Sequence, residues 1–196
     1  MLCQIDNVEP HEHHLTDKPF NRYYLHSVDG FVYMSEQVHS ELRAYSDAPA
    51  LFSPHPLFEN FGERVERSEA CVRLGLDPAN RYVLFFGLIR DYKGLDLLLD
   101  AWAQLRRAGR TEGRRLIVAG GFYTAREPYL NRIADNGLQD EVLLHDRFIP
   151  DDDVKYYFSA ADFVVQPYKT ATQSGVTQIA YQFCVPMVVT AVGGLP

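Results

Sequence analysis

From residue 81 onward the spacing of hydrophobic positions switches back and forth between two patterns. RYVLFF (81–86) is a β-branched and aromatic run that stops at Gly87, the form of a strand. KGLDLLLDAWAQLRR follows, with Leu95, Leu98, Leu99, Trp102 and Leu105 at the 3.6-residue repeat of a half-buried helix. RLIVAGG (115–121) is short and continuously apolar, as expected of a strand covered on both faces. Residues 126–137 read as a helix ended by Asn136 and Gly137, and EVLLHD (141–146) as the next strand. Pro150 and the aspartates 151–153 open another helix, with carboxylates at the positive end of its dipole. Its apolar stripe is Val154, Tyr157, Phe158 and Ala161. DFVVQP (162–167) and PMVVTAV (186–192) are two further strands with a helix between them. This alternation predicts an α/β fold: a doubly wound parallel sheet in the order 3-2-1-4-5, with helices on both faces.

The first part of the chain is organised differently. LCQID (2–6) and GFVYMS (30–35) read as strands, and Thr16 to Val28 and Ser35 to Tyr45 as helices that start at hydroxyl N-caps. FSPHPLFENFG (52–62) carries two prolines and reads as a connector. Residues 1–47 are therefore expected to be a remnant of a second α/β domain, 48–62 the connector and 63–196 the sheet domain. A strand at the very start, and a GGLP turn at the end with no closing helix, read as a piece cut short at both ends.

Composition narrows the function classes. Apolar residues make up 46% and charged residues 23%, typical of a globular chain with an ordinary core. A formal net charge of −7 argues against nucleic acid as a partner, because phosphate-backbone affinity needs clustered Lys and Arg. No run approaches the roughly 18 apolar residues of a membrane span. MLCQIDNVEPHEHH lacks the basic and apolar regions of a signal peptide. Cys3, Cys71 and Cys184 are odd in number and far apart, which fits free thiols in a reducing cytoplasm.

Two loops could carry chemistry. Gly87-Leu-Ile-Arg90-Asp-Tyr-Lys93-Gly94 joins the first strand of the sheet to its first helix, at the edge where doubly wound folds bind ligands. Two glycines permit close backbone approach, a helix N-terminus offers free N–H groups, and Arg90 and Lys93 add positive charge. Together they suit a diphosphate; a βα turn whose cations face water would read the same way. Lys93 is expected to point off the core, so that its removal leaves stability nearly unchanged. The second loop, Thr170-Ala-Thr172-Gln173-Ser174-Gly175-Val176, leads into a helix with the stripe Val176, Ile179, Ala180 and Phe183. Ser174 is a natural N-cap, and the N–H groups of Gly175 and Val176 would face a ligand; a capped helix that binds nothing is equally compatible. His11-Glu12-His13-His14 lacks a converging partner set, so no metal site is expected. Asp6 and Asn7 could line a cleft or form a turn. Asp146 and Arg147 could meet a base or form a surface ion pair.

At these residues the chain resembles glycosyltransferase family 4, the retaining GT-B enzymes. FFGLIRDYKGLDLLLDAW is similar to the family's first nucleotide-domain motif, a Gly followed six residues later by Lys-Gly. LIVAGG, FIPDDDVKYYFSAADFVVQPY and VPMVVTAVGGLP resemble its later motifs in their order. PHPLFENFG resembles the interdomain connector, and IDNVEPHE the late part of the acceptor domain.

The resemblance implies a Rossmann-like, nucleotide-sugar-binding domain of GT-B type. Gly87, Arg90, Lys93, Gly94, Ser174, Gly175 and Val176 would hold the donor diphosphate, and Arg147, Phe148 and Ile149 would pass near the nucleoside. Leu88 stands where the family more often has Arg. Two family glutamates fall on Ala171 and Ile179, which leaves ribose recognition without its carboxylate; a Ser-Gly-Val subgroup is the better match. The implied function is sugar transfer with retention, from a nucleotide diphosphate sugar to a glycan or lipid-linked acceptor. It implies no metal or other cofactor, no catalytic residue that can be carried over, and peripheral membrane contact only through the missing domain. A donor-binding module without transferase activity is the alternative. A dinucleotide enzyme is disfavoured by the absence of Gly-x-Gly-x-x-Gly after the first strand.

Overall fold

The computed structural model describes residues 1–9 and 17–195. The chain divides into two compact units. One is Met1–Pro56 with Thr170–Gly175 and Ala191–Pro196; the other is Leu57–Lys169 with Val176–Thr190.

The larger unit contains a five-stranded sheet. Its strands are β4 (Arg81–Phe86), β5 (Arg114–Ala119), β6 (Val142–His145), β7 (Phe163–Gln166) and β8 (Met187–Val189). The order is β6-β5-β4-β7-β8, with every pair parallel, which is the predicted 3-2-1-4-5 arrangement. Successive side chains of a strand point to opposite faces, so each apolar run feeds two cores. Tyr82, Leu84, Phe86, Ile117 and Ala119 face α3 (Arg67–Leu74), α6 (Asp151–Ala160) and α7 (Gly175–Gln182). Val83, Phe85, Leu116 and Val118 face α4 (Leu95–Arg107) and α5 (Glu127–Asp135).

Two local readings change. The periodic stripe of α4 was expected to include Leu105, which is 40% exposed; Ala103 is buried instead, beside Trp102. The helix was also expected to include Lys93. That residue ends a separate 3-10 turn, Asp91–Lys93, and Gly94 at φ 69° redirects the chain into α4. Helix α3 gave no clear sequence signal, because its buried residues are the small Ala70 and Cys71.

The smaller unit holds a parallel sheet in the order β1-β2-β3: Leu2–Ile5, Gly30–Tyr33 and Ala50–Phe52. Helices α1 (Asp17–His26) and α2 (Glu36–Leu42) accompany it. Ser35 caps α2 as expected, its hydroxyl accepting from the Val38 N–H. β3 lies at the edge of the segment read as a connector; it has three residues, two of them exposed, and so no periodicity to detect. Thr16 and the His11-Glu12-His13-His14 cluster lie outside the described residues.

Candidate functional site

The carboxyl ends of the strands in the larger unit bring the first candidate loop together with two others. β4 ends at Gly87, whose N–H donates to the Ala119 carbonyl at 2.9 Å. The pairing then continues past the strands: the Ile89 N–H donates to Gly121 O and the Tyr123 N–H to Ile89 O, both at 2.9 Å. Ile89 is fully buried and anchors the loop. Gly120, at φ 146°, has no room for a side chain, since a Cβ there would lie 2.1 Å from the Gly87 carbonyl oxygen. The close approach of these two loops therefore requires glycine at 120.

Lys93 is the centre of the arrangement. Its Nζ lies 3.2 Å from where a Cβ on Gly87 would sit, and Val176 Cγ2 lies 3.4 Å from the same point. Gly87, Lys93 and Val176 thus surround one small space, and a side chain at 87 would intrude on it. Below, the Tyr168 ring centroid is 5.8 Å from Nζ. Tyr168 is buried and held by its own carbonyl, which accepts from Thr190 Oγ1 at 2.6 Å. The lysine is half-buried rather than exposed, contrary to expectation. Burial, and then the charge of Arg90, pull its pKa down to about 8. Among the described residues no carboxylate is in salt-bridge contact with this cation to offset the cost of its burial.

The 3-10 turn that carries Lys93 is pinned from several sides. The Lys169 N–H donates to Tyr92 O at 2.7 Å, and Lys169 Nζ pairs with Asp96 at 2.8 Å. The Tyr129 hydroxyl donates to Asp91 at 2.9 Å; burial and that carboxylate push its pKa up to about 12. Gly94 packs so closely that a Cβ would lie 2.0 Å from the Pro167 carbonyl oxygen. Arg90, next along the loop, lies with its guanidinium 4.0 Å from the centroid of the Tyr123 ring.

Val176 is buried near the start of α7, and Thr177 ties that helix to the end of β7 through a 2.9 Å bond to buried Gln166. Ser174 and Gly175 belong to the smaller unit. In that unit Thr172 Oγ1 hydrogen-bonds Asn7, and Asp6 lines a polar cavity of about 330 Å³ with Asn7, Asn21 and Tyr24. At the end of β6, Arg147 and Phe148 are exposed while Ile149 is buried in the core. Asp146 pairs with Arg126 at 3.4 Å, not with its neighbour Arg147. His145 is half-buried against the Tyr157 hydroxyl at 2.8 Å, and burial lowers its pKa. Ile179 lies in the apolar core as its stripe position predicted. Tyr123 and Tyr168 are the residues that sequence reading missed; the run Gly120-Gly121-Phe122-Tyr123 was a signal of close loop approach but not of what it approaches. Among the described residues no cluster of three potential metal ligands occurs, and no helix is long and apolar enough to cross a membrane.

A comparison with protein families decides the affiliation. The family described as "Glycosyl transferases group 1" matches residues 80–196. The chain belongs to this family. Among curated proteins, the D-inositol 3-phosphate glycosyltransferase of Segniliparus rotundus is 36% identical over 135 residues, covering 67% of this chain and 29% of that protein. The lipopolysaccharide core biosynthesis mannosyltransferase LpsB of Rhizobium meliloti is 35% identical over 158 residues, covering 76% and 43%. The chain thus spans less than half the length of either relative. Among solved structures, sucrose-phosphate synthase from Thermosynechococcus elongatus superposes with a TM-score of 0.83 at 21% identity, over 99% of this chain and 51% of that one. Anabaena HepE, solved in complex with UDP and glucose, gives 0.73 at 17% identity, over 98% and 53%. These likenesses establish the Rossmann-like GT-B fold for the group 1 glycosyltransferase chain described here.

Proposed function

We propose that this chain carries the donor-diphosphate site of a glycosyltransferase that moves a sugar from a nucleoside diphosphate sugar to a glycan or lipid-linked acceptor, with retention. The observation that carries the reading is Lys93, held half-buried over Gly87 at the ligand-binding edge of the sheet, with Arg90 beside it. The relatives named as glycosyltransferases, and a structural neighbour solved with UDP and glucose, support the same chemistry. In this reading Gly87 and Gly94 let the diphosphate approach the backbone. Arg90 and Lys93 stabilise the negative charge that grows on the departing diphosphate. Those two cations do the work of charge neutralisation, so the reading asks for no metal. Arg147, Phe148 and the Ile149 backbone are assigned to the nucleoside side, and Ser174, Gly175 and Val176 to further phosphate contacts. The acceptor side and turnover belong to the whole protein, and free cysteines suit a cytoplasmic setting.

A donor-binding module without transferase activity is the second reading. It is favoured by Ile179, which is buried where many members of the resembling family carry a glutamate. Calorimetric titration of UDP tests the site itself. Lys93→Ala should weaken binding about 10- to 150-fold, the value of a charge-assisted phosphate contact. Unchanged affinity would reduce the loop to a turn. Sugar transfer by the whole protein, assayed with a nucleotide sugar, separates enzyme from binding module.

A further inference from the structure

Arg90 is on a loop, and a long side chain on a loop is a poor electrostatic clamp unless something fixes it. The structure supplies that support from a residue 33 positions away. The parallel bridge between Ile89 and Phe122 continues the β4–β5 register three residues beyond its last strand pair, Phe86 with Ala119. The Tyr123 N–H donates to the carbonyl of Ile89, the residue before Arg90, at 2.9 Å. Phe122 turns inward against Tyr129, at 5.4 Å between ring centroids, so Tyr123 turns outward. Its ring is 65% exposed and meets the Arg90 guanidinium at 4.0 Å. This is the separation of a close cation–π contact, in which the ring covers one face of the guanidinium.

We propose that Tyr123 is a positioning residue for the donor diphosphate, acting through Arg90 by holding the guanidinium over its ring. The inference rests on the diphosphate reading above. Preorganisation of a rotamer-rich side chain removes part of the cost of ordering it at binding. The ring's electrostatic attraction also opposes displacement of Arg90 by its neighbour Lys93. Any aromatic ring at 123 serves this role; a hydroxyl is not required.

The test uses two probes, UDP and inorganic pyrophosphate, titrated calorimetrically into the wild type, Arg90→Ala, Tyr123→Ala, Tyr123→Phe and the double alanine variant. Tyr123→Ala should weaken both probes by the same factor, about two- to fivefold, the value of an exposed cation–π contact. Tyr123→Phe should restore both. In the Arg90→Ala background the Tyr123→Ala change should have no further effect, since the two act as one unit. Tyr123 is exposed, so thermal melts should show every variant folded. A loss confined to UDP, with pyrophosphate unaffected, would mean that Tyr123 stacks on the nucleoside itself and would overturn the proposal. So would a persistent loss in the Arg90→Ala background, or wild-type affinity in Tyr123→Ala. Unchanged affinity in Arg90→Ala would instead sink the diphosphate reading at this residue, a distinct failure.

Discussion

At the scale of single residues, the binding role proposed for Lys93 and a cost to stability fall on the same amine. With a pKa of about 8 in the fold against 10.5 for the ordinary lysine, its amine binds fewer protons folded than unfolded between those values. Stability therefore rises with pH across that window, and the full cost is present below pH 8. Lys93→Met keeps the aliphatic packing and removes the charge. Discounted for partial exposure, it should raise stability at pH 7 by about 1–2 kcal/mol and flatten the rise between pH 8 and 10.5. Thermal melts across that range measure both effects; a loss of stability at pH 7 would contradict the burial cost. Binding has the opposite sense. A diphosphate favours the charged amine, so UDP affinity should fall as pH climbs from 7 to 9, with proton uptake on binding near pH 8. Titrations in two buffers of different ionisation enthalpy detect that uptake.

At the scale of elements, the site depends on joints rather than on the strands and helices themselves. The 3-10 turn Asp91–Lys93 and helix α4 meet at Gly94, with φ 69° and the Pro167 carbonyl oxygen 2.0 Å from any Cβ. Gly94→Ala must bear both a left-handed backbone and a collision with main chain. It should cost at least about 2–4 kcal/mol and weaken UDP binding by displacing Lys93. Gly75, which ends α3 at φ 68°, has nothing within 4 Å of its Cβ position. Gly75→Ala should cost only the conformational part, about 1–2 kcal/mol, and leave binding intact. Equal denaturation midpoints for the two variants would show that the contact with Pro167 yields easily.

For the whole molecule, a local positive site stands within a chain of net charge −7. The overall field opposes an anion, so recognition must come from the few groups at close range, where salt screens less effectively than it does at distance. UDP held at the proposed site would contact groups that are scattered in the unfolded chain, and should stabilise the fold by about 2.7 kcal/mol at 100 times its dissociation constant. A thermal-shift series should show the melting temperature rising with UDP in the wild type. The same series should show a smaller rise in Lys93→Ala, about 0.3–1.4 kcal/mol at that concentration for a 10- to 150-fold loss of affinity. A rise of wild-type size after the substitution would place nucleotide binding elsewhere.

What the sequence determined by itself was everything set by neighbours along the chain. Unbroken apolar runs such as RLIVA, ended by glycines, read as strands covered on both faces, and the 3.6-residue stripes of α4, α6 and α7 place most of their members in a core. Right-handed connection of such units leaves few strand orders, and Gly87 to Gly94 stood out because glycines and cations together mark an anion loop. The tertiary structure alone decided the rest. β3 has three residues and is held by pairing with β2, not by any pattern of its own. Leu105 satisfies the helical period yet is 40% exposed. Lys93 reads as a surface residue in sequence, and its burial is imposed by Tyr168, which comes from a loop 75 residues later. The pairing of Arg90 with Tyr123 likewise exists only because two loops are hydrogen-bonded past the ends of their strands. Periodicity reports which way a side chain points from its own element; how deeply it is buried, and against what, depends on elements that the local sequence does not contain.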